Sequence, residues 1–421
     1  MKLRKKAINF RCRGLSPAEV KGEEPLRVEG RVLAGVRGRS HRQSGSGVEP
    51  PAELGSERKM KKVMVAMSGG VDSSAAAAIL KEEYEVTGVT LRLFTNEDIQ
   101  LDRSRSCCSL DDVEDARSVA NRLDIPFYVY NFGDRFRECV IDKFNNSYIN
   151  GLTPNPCIDC NRFIKFDALL KRAELLGQDY IATGHYVRKR YDEKTGRYQL
   201  LKGIDPAKDQ SYVLYGMTQQ QLAKTLFPIG ELTKPQTRAI AEKYGLVNAG
   251  KPDSQDICFV PDGDYARFIE SYTGKKFPCG EFVDKEGKVL GQHGGIIRYT
   301  VGQRKGLGIA LGKPAYVVEK DIENNRVVLG SNEDLFGDTA YAYDVNWVSC
   351  ECVQSPVRVC ARVRYNQKEQ PATLYPLENG NIKVVFDKPQ RAITFGQALV
   401  CYDGEMLVCG GTCCSSTLAL K

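Results

Sequence analysis

The sequence is short of metal-binding side chains of the usual kind. Only His41, His185 and His293 offer imidazole, and Cys-x-x-Cys occurs once, at Cys157 and Cys160. A structural zinc site needs four ligands, normally two such pairs or a pair with added histidines, so zinc is the weaker reading of that pair. Apolar runs long enough to cross a bilayer are missing, which argues against a membrane-spanning chain. A Gly-rich loop ending in Gly-Lys-Ser/Thr is missing too, which disfavours an ordinary P-loop kinase or GTPase. There is no internal repeat of solenoid or propeller period. Outside the first 59 residues a charge imbalance is also absent. The net charge of +7 sits entirely in residues 1–59, which hold 14 basic and seven acidic residues and leave 46 of each sign beyond. Polyanion binding by the body must therefore use local basic patches. The 15 cysteines are odd in number and irregularly spaced. They do not form a disulfide framework, and most are expected to be small buried apolar residues.

What is present points to several domains, since 421 residues exceed one ordinary core. Residues 1–59 are rich in Arg, Gly, Ser, Glu and Pro without sustained periodicity, and are expected to be a disordered extension. Their seven glutamates argue against a mitochondrial transit peptide, and Met60 is a second candidate start. Residues 60–204 alternate strand and helix patterns. Strands are expected at Val63–Met67, Val86–Phe94, Pro126–Phe132 and Tyr180–His185, and helices at Ser73–Tyr84, Asp111–Leu123, Arg135–Ile149 and Arg162–Leu176. Val113, Ala116, Val119, Ala120 and Leu123 recur at helical spacing. Such alternation implies an α/β domain, a parallel sheet flanked by helices, with ligands at the carboxyl ends of its strands. Residues 205–300 look like a small linking domain. Residues 301–421 carry short β-rich runs, among them Ala315–Glu319, Arg326–Leu329, Val357–Tyr365, Ile382–Phe386 and Ala398–Tyr402, which suit a β-barrel-like domain.

Three motifs carry chemistry. Met64–Ser74 runs from an apolar strand into Ser68-Gly-Gly-Val-Asp-Ser-Ser74 and then a helix. Gly69 and Gly70 let the backbone approach a ligand, and the amides of the following helix suit phosphate. Asp72 would repel phosphate, so it is expected to hold Mg²⁺ or to fix the loop. The second motif, Thr153-Pro-Asn-Pro-Cys157-Ile-Asp-Cys160-Asn-Arg, puts two thiols near a helix N-terminus, where dipole and amides are expected to lower a thiol pKa. The pair suits a redox or sulfur-transfer role, half a metal site, or a structural coincidence. The third is the lone cysteine of Ser254-Gln-Asp-Ile-Cys258-Phe-Val.

The loop string resembles the pyrophosphatase-loop signature of enzymes that adenylate a substrate, with an adenine nucleotide alpha hydrolase-like fold. Together, Ser68–Ser74, Gly151–Phe166, Ala182–Tyr186, Lys208–Tyr212, Ser254–Phe259, Tyr299–Arg304 and Arg364-Tyr365 resemble the tRNA-specific 2-thiouridylases, over Met60 to about Gly411. The resemblance implies ATP with Mg, bound at Ala66, Met67, Ser68, Gly69, Gly70, Val71, Asp72, Ser73, Leu91 and Gly184. It implies that Cys258 carries a persulfide and that Cys160 resolves it. It further implies tRNA contacts at Asn155, Pro156, Cys157, His185, Lys208, Asp209, Gln210, Arg364, Tyr365 and Gln397. The implied partners are tRNA and a sulfur donor such as a cysteine desulfurase or sulfur relay protein, in the cytoplasm. Many relatives carry Asp where this chain has Cys157, which puts that position's role in doubt. Cys157, Cys160 and Cys258 would also suit a 4Fe–4S cluster with one open iron site. The competing readings are another pyrophosphatase-loop enzyme adenylating a small molecule, which has no need of Cys160 and Cys258, and a non-catalytic RNA-binding protein, which has no need of the loop.

A chain beginning at Met60 is expected to fold and keep its activity, with a shallower salt dependence of tRNA binding because fewer phosphates are neutralised non-specifically. Far-ultraviolet circular dichroism and a salt titration of tRNA binding check this. Loss of folding or catalysis would make residues 1–59 an integral element.

Overall fold

A computed structural model describes residues 60–95, 110–252 and 257–421. The expectation of disorder in 1–59 lies outside the described residues, as do Cys107, Cys108 and residues 253–256. Three sheets organise the chain. The first seven strands are β1 (Lys62–Ala66), β2 (Glu85–Arg92), β3 (Phe127–Asn131), β4 (Tyr180–Thr183), β5 (Val187–Asp192), β6 (Arg197–Lys202) and the two-residue β7 (Thr225–Leu226). β3-β2-β1-β4-β7 form an all-parallel sheet. Val63 and Val65 of β1 are fully buried, as are Ala75–Ala78 of helix α1 (Val71–Leu80) that packs on it. Small alanines let α1 lie close to the sheet, with helix Lys234–Lys243 on its far side. The strand order reverses between β1 and β4, so the crevice at their carboxyl ends is a natural ligand site.

The second sheet contains β8 (Gly280–Val283), β9 (Val289–His293), β10 (Tyr316–Asp321) and β11 (Arg326–Gly330), in the order β10-β11-β8-β9. The third comprises β12 (Phe336–Trp347), β13 (Val357–Arg362), β14 (Gln370–Pro376), β15 (Ile382–Arg391), β16 (Ala398–Asp403) and β17 (Met406–Cys414). Its order β12-β15-β14-β13-β16-β17 closes through β12–β17 into a six-stranded barrel, whose interior is lined by Ala340, Val384, Leu399 and Cys401.

Several segments join sheets other than those expected from the sequence. β10 and β11, read with the C-terminal barrel, belong instead to the sheet of β8, which β11 joins with Arg326 opposite Glu281. β5–β6, inside 60–204, extends the barrel sheet through Leu201 and Met406. β7 and helix Lys234–Lys243, inside 205–300, complete the parallel-sheet layer. Short strands carry a face pattern but no information about which distant edge they meet. Among the described residues no helix is long and apolar enough to cross a membrane.

Candidate active site

The loop after β1 is held open by its own small side chains. Met67 is anchored to β2 on both backbone sides: its N–H donates to Val89 O at 2.7 Å and its carbonyl accepts from Thr90 Oγ1 at 2.7 Å. Gly69 has φ +73°, and a Cβ there would lie 2.4 Å from the Asp112 carbonyl oxygen, so only glycine lets helix α2 (Leu110–Arg122) come so near. Ser73 Oγ accepts from Ser68 N–H, and the Ser73 and Ser74 hydroxyls donate to Gly70 O. Those two hydroxyls brace the turn instead of facing outward, while Ser68 is exposed. No side chain caps α1 at Gly70, which leaves its first-turn amides available to an anion. Gly184 closes the crevice from β4: a Cβ would sit 2.6 Å from Ser73 N.

Of the two roles expected for Asp72, the structure favours fixing the loop. Its Oδ1 accepts from Tyr186 Oη and from Lys234 Nζ, each at 2.7 Å, and Lys234 is only 8% exposed. Asn248, which the sequence reading did not single out, donates from Nδ2 to Gly69 O and Ser74 Oγ at 2.9 Å each, while its buried Oδ1 has no partner among the described residues. An isolated Asn in a turn carries no signal of such a role. Lys251 ties the same segment to α2 through Asp112 and Asp115.

The thiol motif opens a long helix. Asn155 caps it by accepting from Cys157 N–H at 3.1 Å, with Pro156 in its first turn. The helix then takes a π-helical stretch, Cys160–Ala168, of the kind that marks functional sites. Its start is gripped by the barrel. Thr153 N–H donates to Phe395 O at 2.9 Å, Gln397 Nε2 donates to Thr153 O at 2.8 Å, and the Arg162 guanidinium pairs with Asp344. Gly396, at φ +91°, permits that close approach, since a Cβ would lie 2.9 Å from Thr153 N.

Cys157 is exposed and Cys160 half-buried. The expectation of acidified thiols is corrected here. Burial pushes Cys160 up to about 11, with the Lys165 ammonium pulling it back down, while the exposed Cys157 keeps its access to water. Desolvation of the thiolate outweighs the nearby cation. Lys165 lies one π turn beyond Cys160, a relation the sequence hides because i and i+5 diverge on an α-helix. The neighbouring carboxylate, Asp159, is engaged by Lys143 at 2.6 Å. Cys160 and Cys258, 98 residues apart, both pack on one apolar cluster containing Phe144, Ile164 and Phe259. Phe259 seats Cys258 by edge contacts with Phe136 and Phe144.

A thiol held up to about 11 is protonated at neutral pH. Iodoacetamide alkylation of Cys160 is therefore expected to rise about tenfold per pH unit from 7 to 10, where a helix-acidified thiol would level off. Mass spectrometry of the Cys160 peptide measures this, and a plateau below pH 8 would contradict it.

The residues expected to touch tRNA divide. His185 is buried: its Nδ1 is hydrogen-bonded to Thr183 Oγ1 at 2.8 Å, and burial with Lys165 holds its pKa well below the usual value. Asp209 is enclosed too, pairing with Arg362 at 3.1 Å and accepting from Gly203 N–H and Ser211. Gln210 Oε1 accepts from Tyr186 N–H. Arg364 donates to Val301 O, Ala392 O and Thr394 Oγ1, and Gln397 holds Thr153. Lys208 is half-buried. Tyr365 is 37% exposed, its hydroxyl on Asp209 O at 3.3 Å. Most of this set is thus buried or half-buried in contacts within the protein, with Tyr365 and Cys157 its exposed members.

Among the described residues, no three His, Cys, Asp or Glu side chains lie close enough to hold a metal ion. Cys157, Cys160 and Cys258 do not form one ligand set, so the residues described do not fit the expected iron–sulfur cluster.

Residues 61–262 match the family model for the tRNA methyl transferase HUP domain, 266–331 that for the tRNA methyl transferase PRC-barrel domain, and 338–413 that for the aminomethyltransferase beta-barrel domain. Among curated relatives, the tRNA-specific 2-thiouridylase MnmA of Acetivibrio thermocellus is 56% identical over 83% of this chain and 98% of its own length. That of Clostridioides difficile is 52% identical, over 83% and 97% respectively. That of Moorella thermoacetica is 55% identical, over 83% and 98%.

Proposed function

Because the chain belongs to the family of tRNA-specific 2-thiouridylases, we propose that it thiolates the wobble uridine (position 34) of tRNA at C2, using ATP and a protein-borne sulfur atom in the cytoplasm. The supporting observation is the convergence of Cys160 and Cys258 on one cluster, beside a helix start that the barrel clasps.

The C2 carbonyl of uracil is a poor electrophile. Its oxygen would attack the α-phosphorus of ATP, forming a C2–O–P linkage as the α–β phosphoanhydride bond breaks and pyrophosphate leaves. The uncapped start of α1 and the Gly69–Gly70 turn suit the phosphates. Mg²⁺ would travel with them, since the Asp72 carboxylate is engaged by Lys234. A persulfide on Cys258, loaded by a cysteine desulfurase or sulfur relay protein, would attack C2 through its terminal sulfur, and AMP leaves with the oxygen. Cys160 would then lose its proton to solvent and attack Cys258 Sγ as the thiolate. The S–S bond breaks, its electrons stay on the sulfur bound to C2, and a Cys160–Cys258 disulfide forms. Two external thiols would reduce that disulfide by two electrons, leaving as their own disulfide and restoring Cys160 and Cys258. The raised Cys160 pKa keeps this resolving thiol protonated between turnovers.

A pyrophosphate-release assay tests the reading. Release with uridine-34 tRNA, and thionucleoside formation only when a sulfur donor is added, is the expected result. Release with a small amine or amide acceptor but not with tRNA would favour a small-molecule adenylating enzyme. Binding of tRNA without release would favour a non-catalytic RNA-binding protein.

A further inference from the structure

The string Tyr299–Arg304 opens a segment to which the mechanism above gives no work. From Tyr299 to Val318 the chain contains no Asp or Glu, and it contains three cations, Arg304, Lys305 and Lys313. All three are exposed. Among the described residues none of their side chains makes a hydrogen bond or ion pair. Arg304 and Lys313 line a cavity of about 240 Å³, walled by Leu307, Ile309 and Pro314.

The backbone here is shaped by glycine. Gly306, Gly308 and Gly312 have φ of +77°, +70° and +67°. A Cβ at Gly308 or Gly312 would meet nothing within 4 Å, so both face open space. Turns of left-handed residues make amide concavities that suit oxyanions. Several of the segment's carbonyls are satisfied from the protein side: Arg364 Nη2 donates to Val301 O at 3.1 Å, Arg391 Nη2 to Gly302 O at 3.3 Å, and Gln303 Nε2 to Lys305 O at 3.0 Å. Leu307 anchors the turn in the cluster that also carries Cys160 and Cys258 at its rim. A polymer reaching Cys160 and Cys258 would therefore have this cavity within the same packed unit.

We propose that the Arg304–Ala315 cavity is a docking site for a backbone phosphate of the tRNA, away from the target base; this rests on the tRNA reading above. The cavity has room for a phosphate beside two cations, among the described residues those cations lack intramolecular partners, and the neutral body offers no global field to replace a local contact.

The test compares the full-length protein with Arg304→Gln/Lys313→Gln and with the charge-keeping Arg304→Lys/Lys313→Arg, measuring tRNA affinity across a salt series. The Gln pair is expected to weaken binding about five- to tenfold at low salt and to reduce the slope of log K against log salt by about one. The charge-keeping pair is expected to retain the wild-type slope. Wild-type affinity and slope in the Gln pair would overturn the proposal. So would unchanged tRNA binding with loss only of donor-dependent turnover, which would assign the cavity to an acidic protein. Failure of the wild-type protein to bind tRNA would overturn the tRNA reading itself.

Discussion

Cys258→Ser is expected to lower thiolation at least about a thousandfold while leaving pyrophosphate release and tRNA binding within about twofold of wild type. A hydroxyl cannot carry a transferable sulfur, so the block falls after adenylation. Cys160→Ser is expected to be equally inactive over multiple turnovers, for another reason: the sulfur would stay trapped between Cys258 and C2. Cys160 and Cys258 are half-buried at the rim of their cluster, so Ser in place of either should leave the fold standing. A thermal melt run beside the radiolabelled-sulfur assay separates lost chemistry from lost structure. Robust thiolation by Cys258→Ser would refute the assignment.

Asp72→Ala is expected to reduce adenylation at least tenfold and to destabilise the protein. The substitution removes the Asp72 carboxylate from Lys234 in a setting where the cation is 8% exposed and Asp72 is 31% exposed on its side chain. Removing one partner from an enclosed pair costs about 3–5 kcal/mol, and the exposure of Asp72 lowers this to about 2 kcal/mol. That corresponds to a fall in Tm of about 4–8 °C. Two controls distinguish loop-fixing from metal-holding. Asp72→Ala/Lys234→Met should recover part of the lost stability, because the cation and the carboxylate it meets are removed together. Raising Mg²⁺ should not restore adenylation in Asp72→Ala, and restoration would return Asp72 to the role of metal ligand.

The glycine pair, the hydroxyl-rich turn and the Asn155-Pro156 helix start were legible in the sequence because they are local. A strand needs its alternation or apolar run, a tight turn needs Gly69, and a helix start needs its cap, all within a few residues. The parallel α/β order followed from the same local periods, as did the short-stranded texture of the barrel. What the tertiary structure alone decided was which groups became partners. Asp72 meets Lys234 across 162 positions, Asn248 braces Gly69 across 179, and Thr153 meets Gln397 across 244. Thiol acidity belongs to this second class. The sequence places Cys157 and Cys160 at a helix start, which argues for low pKa values, yet the cluster on which Cys160 packs raises that thiol by burial. The burial of His185 and Asp209 has the same origin. Desolvation and charge pairing depend on what other parts of the chain bring alongside a residue, and no period or spacing in its own neighbourhood encodes that.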